Sequence, residues 1–362
     1  MCAPIRTTSL PCIHAATKLS QVAYVLSNGS RPAKFSPCVS CLLQQHVVTP
    51  KRNFTSTGRA QLKEYFPPPK DAPKIKLTGP AWHHPVYTEE QMMNIKVAHR
   101  EAKNWSDWVA LGLMRILRFG MDTATFYRHD HSLDKAVKDS PTPATKRSWF
   151  AMNERKWLIR MVFLESVAGV PGMVAGMLRH LHSLRRMKRD NGWIETLLEE
   201  AYNERMHLLT FLKMAEPGIF MKFMILGAQG VWFNSLFVAY LISPRTVHRF
   251  VGYLEEEAVL TYTRAIADID AGHLPKWKHL EAPDIAVRYW NMPEGKRTMK
   301  HLLLYIRADE AKHREVNHTL GNLEQSVDPN PFVSNYKDPL KPHPTKGIEN
   351  IKPTGWEREE VI

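Results

Sequence analysis

The first 63 residues contain no aspartate or glutamate, although the 362-residue chain has 36 acidic residues in all. The same segment carries eight Lys or Arg and is rich in Ser and Thr. A basic, hydroxyl-rich and acid-free N-terminus is typical of a mitochondrial transit peptide. A plastid address is the alternative, and an ordinary polar tail can also lack acids. A secretory signal fits poorly, because no compact apolar core precedes a small-residue cleavage site.

Cysteine is absent after position 41, and the four cysteines are Cys2, Cys12, Cys38 and Cys41. The segment Arg52-Asn53-Phe54 before Thr55-Ser56 resembles a matrix-peptidase site, so we predict a transit peptide over residues 1–54. Cleavage there would leave 43 basic and 36 acidic residues and no thiol. Disulfides, thiolate metal sites and cysteine nucleophiles are then excluded from the mature chain.

Alternating strand patterns and internal repeats are also absent, and from about 91 to 325 the chain has a helical pattern. We predict an all-α domain over 91–325, an extended, proline-rich arm over 55–90 and an extended tail over 326–362. Ser243-Pro244 should begin a helix, because Ser caps helix N-termini and Pro suits the first helical position. The predicted main helices span about 104–127, 148–188, 193–215, 219–241, 245–270 and 297–322.

Charge is missing from residues 223–243, FMILGAQGVWFNSLFVAYLIS, a run about as long as a membrane-spanning helix. Its polar residues Gln229, Asn234 and Ser235 weaken that interpretation. The segment 105–119 is amphipathic, and together the two stretches suit helices that lie in a membrane interface. The basic run Arg179–Arg189 would suit anionic headgroups. The alternatives are a buried core helix for the apolar run and a solvated helix end for the basic run.

Two Glu-x-x-His pairs carry the strongest chemical indication: Glu204 with His207, and Glu310 with His313. Residues three apart on a helix are neighbours on one surface, roughly 5–6 Å between Cβ atoms, so each pair can present a carboxylate and an imidazole to one metal. Bundles that hold two iron ions combine two such pairs with a lone Glu from each of two other helices.

A lone glutamate precedes each Glu-x-x-His pair, as such a bundle requires. Successive glutamates of this series are 39, 51 and 55 residues apart. Glu165 lies in the apolar stretch MVFLESVAGV, where a carboxylate without a partner is costly to bury. The run 255–257 offers three candidates, and spacing does not choose among them. A third pair, Glu315 with His318, is rotated about 140° from the pair at Glu310, so only one of the two can face a bundle interior. Salt-bridged carboxylates and satisfied core histidines are the structural alternative.

The donor types favour iron that meets oxygen, because carboxylates and imidazoles with open coordination positions suit that chemistry. The lack of thiolates disfavours structural zinc and iron–sulfur clusters. Two ferric ions carry more charge than four carboxylates balance, and an oxo or hydroxo bridge would neutralise the rest. The predicted cofactor is a pair of non-haem iron ions in each chain.

Four long motifs occur in order: LESVAGVPGMV (164–174), LEEAYNERMHLLTF (198–211), HRFVGYLEEEAV (248–259) and RADEAKHREVNH (307–318). Over roughly residues 80–325 the chain resembles the alternative oxidases, cyanide-resistant ubiquinol oxidases of the mitochondrial inner membrane. The resemblance implies a ferritin-like four-helix bundle with a di-iron site and two further helices lying on the matrix side of that membrane. It also implies a homodimer, and we expect no nucleic-acid partner.

Residue roles follow from the resemblance. The implied iron ligands are Glu165, Glu204, His207, Glu255, Glu310 and His313. The implied quinol pocket consists of Arg118, Asp122, Arg160, Leu164 and Thr261. Supporting roles are implied for His180, Asn203, Asp309, Tyr289 and Trp290. Tyr262 matches a tyrosine with a part in the redox chemistry, and it lies two helical turns after Glu255.

The implied reaction is 2 ubiquinol + O2 → 2 ubiquinone + 2 water. We expect no proton pumping, because the sequence shows no second redox centre and no chain of charged residues across a membrane. The alternatives are a plastid terminal oxidase that uses plastoquinol, a di-iron hydroxylase of a quinone ring, and a ferritin-like iron store. The apolar helices argue against an iron store, because a soluble protein cage has no use for them. Plant members carry a regulatory cysteine ahead of the bundle, and the mature chain would have none.

Overall fold

A computed structural model describes residues 79–125, 127, 152–215 and 217–362. Within these ranges the chain is helical, and its only β feature is an isolated bridge between Glu281 and Thr298. The predicted transit peptide and most of the predicted arm lie outside the described residues. The prediction of an all-α protein is confirmed for the described ranges.

The helices follow the predicted order and are numbered here along the chain. They are α1 (Glu89–Met93), α2 (Trp105–Ala124), α3 (Glu154–Arg186), α4 (Trp193–Met214), α5 (Ile219–Ile242), α6 (Pro244–Asp270), α7 (Asp284–Tyr289), α8 (Met299–Leu320) and α9 (Arg358–Val361).

Local sequence explains where the helices begin. The side chain of Asn104 accepts a hydrogen bond from the Asp107 amide at 3.0 Å and caps α2, and Asn153 caps α3 in the same way. Ser243 caps α6, and Pro244 is its first residue, as predicted. These caps satisfy amide groups that would otherwise lack partners at a helix start.

The bundle consists of α3, α4, α6 and α8, with α3 packed along α4 and α6 packed along α8. Glycine allows the close approach of the first pair. A Cβ atom at Gly172 would lie 2.6 Å from the carbonyl oxygen of Leu197 in α4. The motif around Gly172 therefore brings the helix of Glu165 against the helix of Glu204.

Replacing Gly172 by alanine should lower the thermal unfolding midpoint, because the added methyl group meets backbone rather than a flexible side chain. Overpacking of this kind typically costs ~1–3 kcal/mol. Gly112→Ala in α2 is the matched control, since no atom lies within 4 Å of a Cβ at that position. Circular dichroism melts of both variants test this expectation, and equal midpoints would show that α3 and α4 can separate without cost.

Two apolar helices lie on the bundle with their outer faces uncovered. Helix α2 packs on α6, and α5 packs on α3 and α6. By length and composition α5 is apolar enough to cross a membrane, and only 11% of its most apolar window is buried. Its large exposed apolar side chains include Phe220, Phe223, Leu226, Val231, Leu241 and Ile242, and those of α2 include Trp105, Trp108, Ile116 and Phe119.

Helix α8 is buried nearly all round, although its sequence is polar. The C-terminal segment covers one side. Trp356 Nε1 and the Lys352 amide both donate to Glu315 Oε1, at 2.7 and 2.8 Å. The segment 326–362, which the sequence predicted to be extended, contains turns and the short helix α9 and contributes the buried side chains of Phe332 and Ile348.

Candidate metal centre

Six buried ligand candidates come from the four bundle helices. Helix α3 supplies Glu165, α4 supplies Glu204 and His207, α6 supplies Glu255, and α8 supplies Glu310 and His313. In both Glu-x-x-His pairs the three-residue spacing places carboxylate and imidazole on one helix face. The bundle brings all four faces together at its centre.

The ligand atoms form two overlapping groups. Glu165 and His207 belong to one group, Glu255 and His313 belong to the other, and Glu204 and Glu310 belong to both. Within each group the donor atoms lie within 4.8 Å of one another. Two neighbouring metal positions that share two carboxylates fit this arrangement.

Several of these donor atoms are buried without a hydrogen-bond partner among the described residues. They are Glu165 Oε2, both carboxylate oxygens of Glu204, His207 Nδ1 and His313 Nδ1. His313 Nδ1 lies 2.6 Å from Glu204 Oε1, but the two atoms are not aligned for a hydrogen bond. Buried polar atoms without partners are costly. The donor set, carboxylates and imidazoles only, therefore fits metal ions.

The electrostatics of the six side chains also favour metal binding. Burial, followed by the charge of Glu310, raises the pKa of Glu165 to about 8. Burial and Glu310 also raise the pKa of Glu255 well above its ordinary value. Burial acts to raise the pKa of Glu204, but the adjacent His207 and His313 outweigh it and lower that pKa. The raised pKa values of Glu165 and Glu255 mean that these carboxyls ionise more readily when a counter-charge is present, and metal binding supplies one.

Asp309 is the central residue of a layer of hydrogen-bonded side chains that surrounds the ligand candidates. Its carboxylate accepts hydrogen bonds from Asn203 Nδ2 at 3.2 Å and Trp290 Nε1 at 2.9 Å, and it lies 3.1 Å from His207 Nε2. The Trp290 indole stacks on the His207 ring, with 5.7 Å between centroids. A carboxylate on the distal nitrogen fixes which nitrogen of His207 faces the metal.

Two further residues complete this layer. Asn203 Nδ2 donates to the Tyr289 hydroxyl at 3.0 Å, and His84 Nε2 lies 2.7 Å from Asp309 Oδ1. Sequence reasoning missed His84, which lies in the N-terminal arm 225 residues before Asp309. The only local indication was an unexplained His-His pair before Pro85.

His180 stands apart from this layer. It is exposed on α3, fifteen residues after Glu165, which is about 22 Å along a helix at 1.5 Å per residue. The structure thus brings Asn203, Asp309, Tyr289 and Trp290 to the centre and leaves His180 at the surface.

Tyr262 lies beside the ligand group that contains Glu165 and His207. It is buried in α6, and its hydroxyl donates to Glu165 Oε1 in a short contact. Its ring stacks on Phe211 with 6.3 Å between centroids. Burial, followed by the charge of Glu165, raises the pKa of Tyr262 well above its ordinary value. The phenol is therefore held as a proton donor toward a ligand carboxylate.

Three residues of the implied quinol pocket, Arg118, Asp122 and Arg160, form a charged cluster between α2, α3 and α6. Asp122 bridges two guanidinium groups, with Arg118 Nε at 3.2 Å and Arg160 Nη2 at 2.6 Å. Arg118 also pairs with Glu257, one of the three ligand candidates in the run 255–257, and Glu257 therefore faces away from the metal groups. Thr261 lies one turn after Glu257 on the same helix.

Leu164 lies one turn after Arg160 and directly before Glu165. Thr261 is buried and directly precedes Tyr262. The charged cluster is thus adjacent along two helices to residues of the metal centre.

The competing candidates from the sequence face elsewhere. Glu256 accepts hydrogen bonds from the Arg100 amide at 2.8 Å and lies 2.6 Å from His99 Nδ1 and 2.9 Å from His318 Nε2. Glu315 pairs with Lys312 at 2.7 Å. Among the described residues, neither Glu256 nor Glu315 belongs to a possible metal group.

A four-helix bundle whose centre holds two overlapping Glu/His groups that could bind metal is the architecture of the ferritin-like carboxylate proteins. Within this class the chain belongs to the alternative oxidase family, whose model matches residues 87–322. It is therefore an oxidoreductase.

The chain is similar to several fungal proteins named alternative oxidase, mitochondrial. The protein of Emericella nidulans is 63% identical over 361 residues, which cover 99% of this chain and 98% of that protein. The protein of Aspergillus niger is 66% identical over 324 residues, 89% of each chain. The protein of Blumeria graminis is 62% identical over 358 residues, 98% of each chain.

Proposed function

We propose that the protein is a mitochondrial ubiquinol oxidase that reduces O2 to water without pumping protons. The observation that carries the proposal is the pair of overlapping Glu/His groups, which lie beside an arginine–aspartate cluster and under two apolar helices. Two iron ions bound by the six ligand candidates would supply the redox chemistry with oxygen.

The protein's own residues bind and orient the quinol. The headgroup would lie between α2, α3 and α6, where Arg118 and Arg160 offer donors and Asp122 offers an acceptor. The exposed apolar faces of α2 and α5 give the isoprenoid tail a path from the lipid. Tyr262 holds a proton on its hydroxyl against Glu165, between the pocket and the metal positions.

Oxygen uptake by the purified protein with a short-chain quinol, with and without cyanide, tests this function. We expect cyanide-resistant uptake of one O2 for every two quinols, with water as the product. An oxygen atom recovered in the quinone ring would identify a hydroxylase instead. A preference for plastoquinol over ubiquinol would indicate a plastid enzyme.

We propose that the protein lies in one leaflet, on the matrix side of the inner membrane. Gln229, a polar residue of the apolar run, donates to the carbonyl oxygen of Ser166 in α3 at 2.7 Å. This bond ties the middle of α5 to the bundle, which supports an interfacial position. Arg185 and Arg186, exposed at the end of α3, would suit anionic headgroups.

Protease applied from the intermembrane side of sealed inner membranes should therefore leave the chain intact. Protease applied to the matrix side should cut it, and detergent should not be needed for that cleavage. A shortened, membrane-protected fragment produced by intermembrane protease would show that the chain crosses the bilayer.

We also propose a homodimer and a removed transit peptide. Large apolar side chains remain exposed on the second half of α3, at Met173, Leu181 and Leu184, near His180. Their spacing places them on one side of the helix, so they offer a surface to a second copy. The N-terminal sequence of the imported protein, expected after Phe54, would test the cleavage.

A further inference from the structure

Aromatic rings form a continuous route from the metal centre to the surface, on a path that avoids Tyr262. The Trp290 ring stacks on His207 at 5.7 Å and contacts Tyr289 at 4.9 Å between centroids. Tyr289 contacts Tyr202 at 6.3 Å, and Tyr202 contacts Trp82 at 5.5 Å. Every step joins neighbouring side chains.

The route begins deep in the protein and ends near solvent. Trp290 is 1% exposed, whereas Tyr202 and Trp82 are only partly buried. Three separate elements contribute to it, namely the arm before α1, helix α4, and helix α7 with the residue that caps its C-terminus. Tyrosine and tryptophan are the side chains most easily oxidised by one electron, apart from thiols, and the mature chain is expected to have no thiol.

We propose that this route, Trp290–Tyr289–Tyr202–Trp82, discharges oxidising equivalents that are stranded at the metal centre when quinol runs short. The inference rests on the proposed function, because oxygen reduction is what leaves such an equivalent behind. The reductant at the surface is a small soluble thiol. The route protects the enzyme and takes no part in normal turnover.

The electrons and protons balance at each step. Trp290 gives one electron to the site, and its indole N–H donates to the Asp309 carboxylate at 2.9 Å, which stabilises the positive charge left on the ring. Tyr289 then reduces Trp290 by one electron, Tyr202 reduces Tyr289, and Trp82 reduces Tyr202. Each phenol that loses an electron also releases its proton and regains one when it is reduced.

The final step regenerates Trp82. A thiol gives Trp82 one electron and releases one proton, and two thiyl radicals combine to a disulfide. Trp82 and Tyr289 both line one cavity that is open at the surface, so protons can leave and return there. Overall, one stranded oxidising equivalent oxidises one thiol.

Tyr202→Phe breaks the route while keeping the ring, because a phenylalanine ring is much harder to oxidise. Tyr305→Phe is the matched control. Tyr305 contacts Trp290 at 6.5 Å and is buried, but it lies to the side of the route. Neither residue has been placed among the ligands or in the quinol pocket, so both variants should keep the wild-type initial rate with ample quinol.

The experiment exposes the iron-loaded proteins, purified from mitochondria after import, to oxygen with limiting quinol, with and without glutathione. Surviving activity is followed, and oxidised residues are mapped by peptide mass spectrometry. In the wild type and Tyr305→Phe, oxidation should appear at Trp82 without glutathione, and glutathione should extend the lifetime. In Tyr202→Phe, oxidation should shift to Trp290 and Tyr289, the lifetime should be several-fold shorter, and glutathione should not help.

The same lifetime and the same oxidation map for Tyr202→Phe and Tyr305→Phe would overturn the proposal. Oxidation at Trp82 in iron-free protein would also overturn it, because the equivalent would then come from solution. The initial quinol oxidation rate, measured first, tests the proposed function separately. If the wild type showed no quinol oxidation, hydrogen peroxide added to the iron-loaded protein would supply the oxidising equivalent instead. The positions of the oxidised residues would then still test the route.

Discussion

Glu204→Gln should abolish both iron binding and oxygen uptake. Glu204 belongs to both groups of possible ligands, and both of its carboxylate oxygens are buried without a partner among the described residues. An amide side chain has one oxygen and no charge, so each metal position loses a negatively charged ligand. Metal analysis of the purified variant and oxygen-electrode measurements should both fall to background.

Glu315→Gln is the matched comparison, because Glu315 is the buried glutamate of the third Glu-x-x-His pair. Glutamine keeps an oxygen for the Trp356 indole and the Lys352 amide, so iron content and turnover should remain near wild type. Alanine is a poorer control, because it removes the acceptor of the Trp356 indole and the Lys352 amide as well as the partner of Lys312. Equal loss of iron in Glu204→Gln and Glu315→Gln would refute the ligand set.

Tyr262→Phe should lower turnover at least tenfold, which corresponds to about 1.4 kcal/mol in the barrier. The change removes only the hydroxyl that donates to Glu165, and the ring can still stack on Phe211. Iron content should therefore stay at the wild-type level. Stopped-flow and steady-state measurements with saturating quinol, alongside metal analysis, separate these two quantities.

Tyr240→Phe provides the comparison for that experiment. Tyr240 is also a buried tyrosine with a polar contact, 3.1 Å between its hydroxyl and His248 Nε2, but it lies on α5 away from the ligand groups. Its variant should lose about 1 kcal/mol of stability and keep its turnover. If Tyr262→Phe behaved in the same way, Tyr262 would be a packing residue.

Helix ends and the shared faces of the Glu-x-x-His pairs were predictable because they depend on residues close in sequence. The cap at Ser243 and the faces of both Glu-x-x-His pairs follow from local geometry alone. The choice of Glu255 over Glu256 came only from the family resemblance. The structure gives the physical reason, since Glu256 is held by His99 and His318, at separations of 157 and 62 residues.

The surroundings of the centre were harder to predict for the same reason. His84 reaches Asp309 across most of the domain, and neither its spacing nor its neighbours indicate that contact. The burial of α8 was also not foreseen, because a polar helix becomes a core helix only when distant segments cover it. Glycine motifs had the opposite limitation, since Gly172 was visible in the sequence but its partner Leu197 was not.

The contacts of Glu315 make the timing of synthesis matter. Its carboxylate is completed by the indole of Trp356 and the amide of Lys352, and Asn322 Nδ2 donates to the carbonyl oxygen of Trp356 at 2.7 Å. These partners follow α8 along the chain, so during synthesis the polar surface of the last bundle helix stays without them until that segment has been made. The bundle therefore completes its packing around α8 only after the segment that covers it has been synthesised.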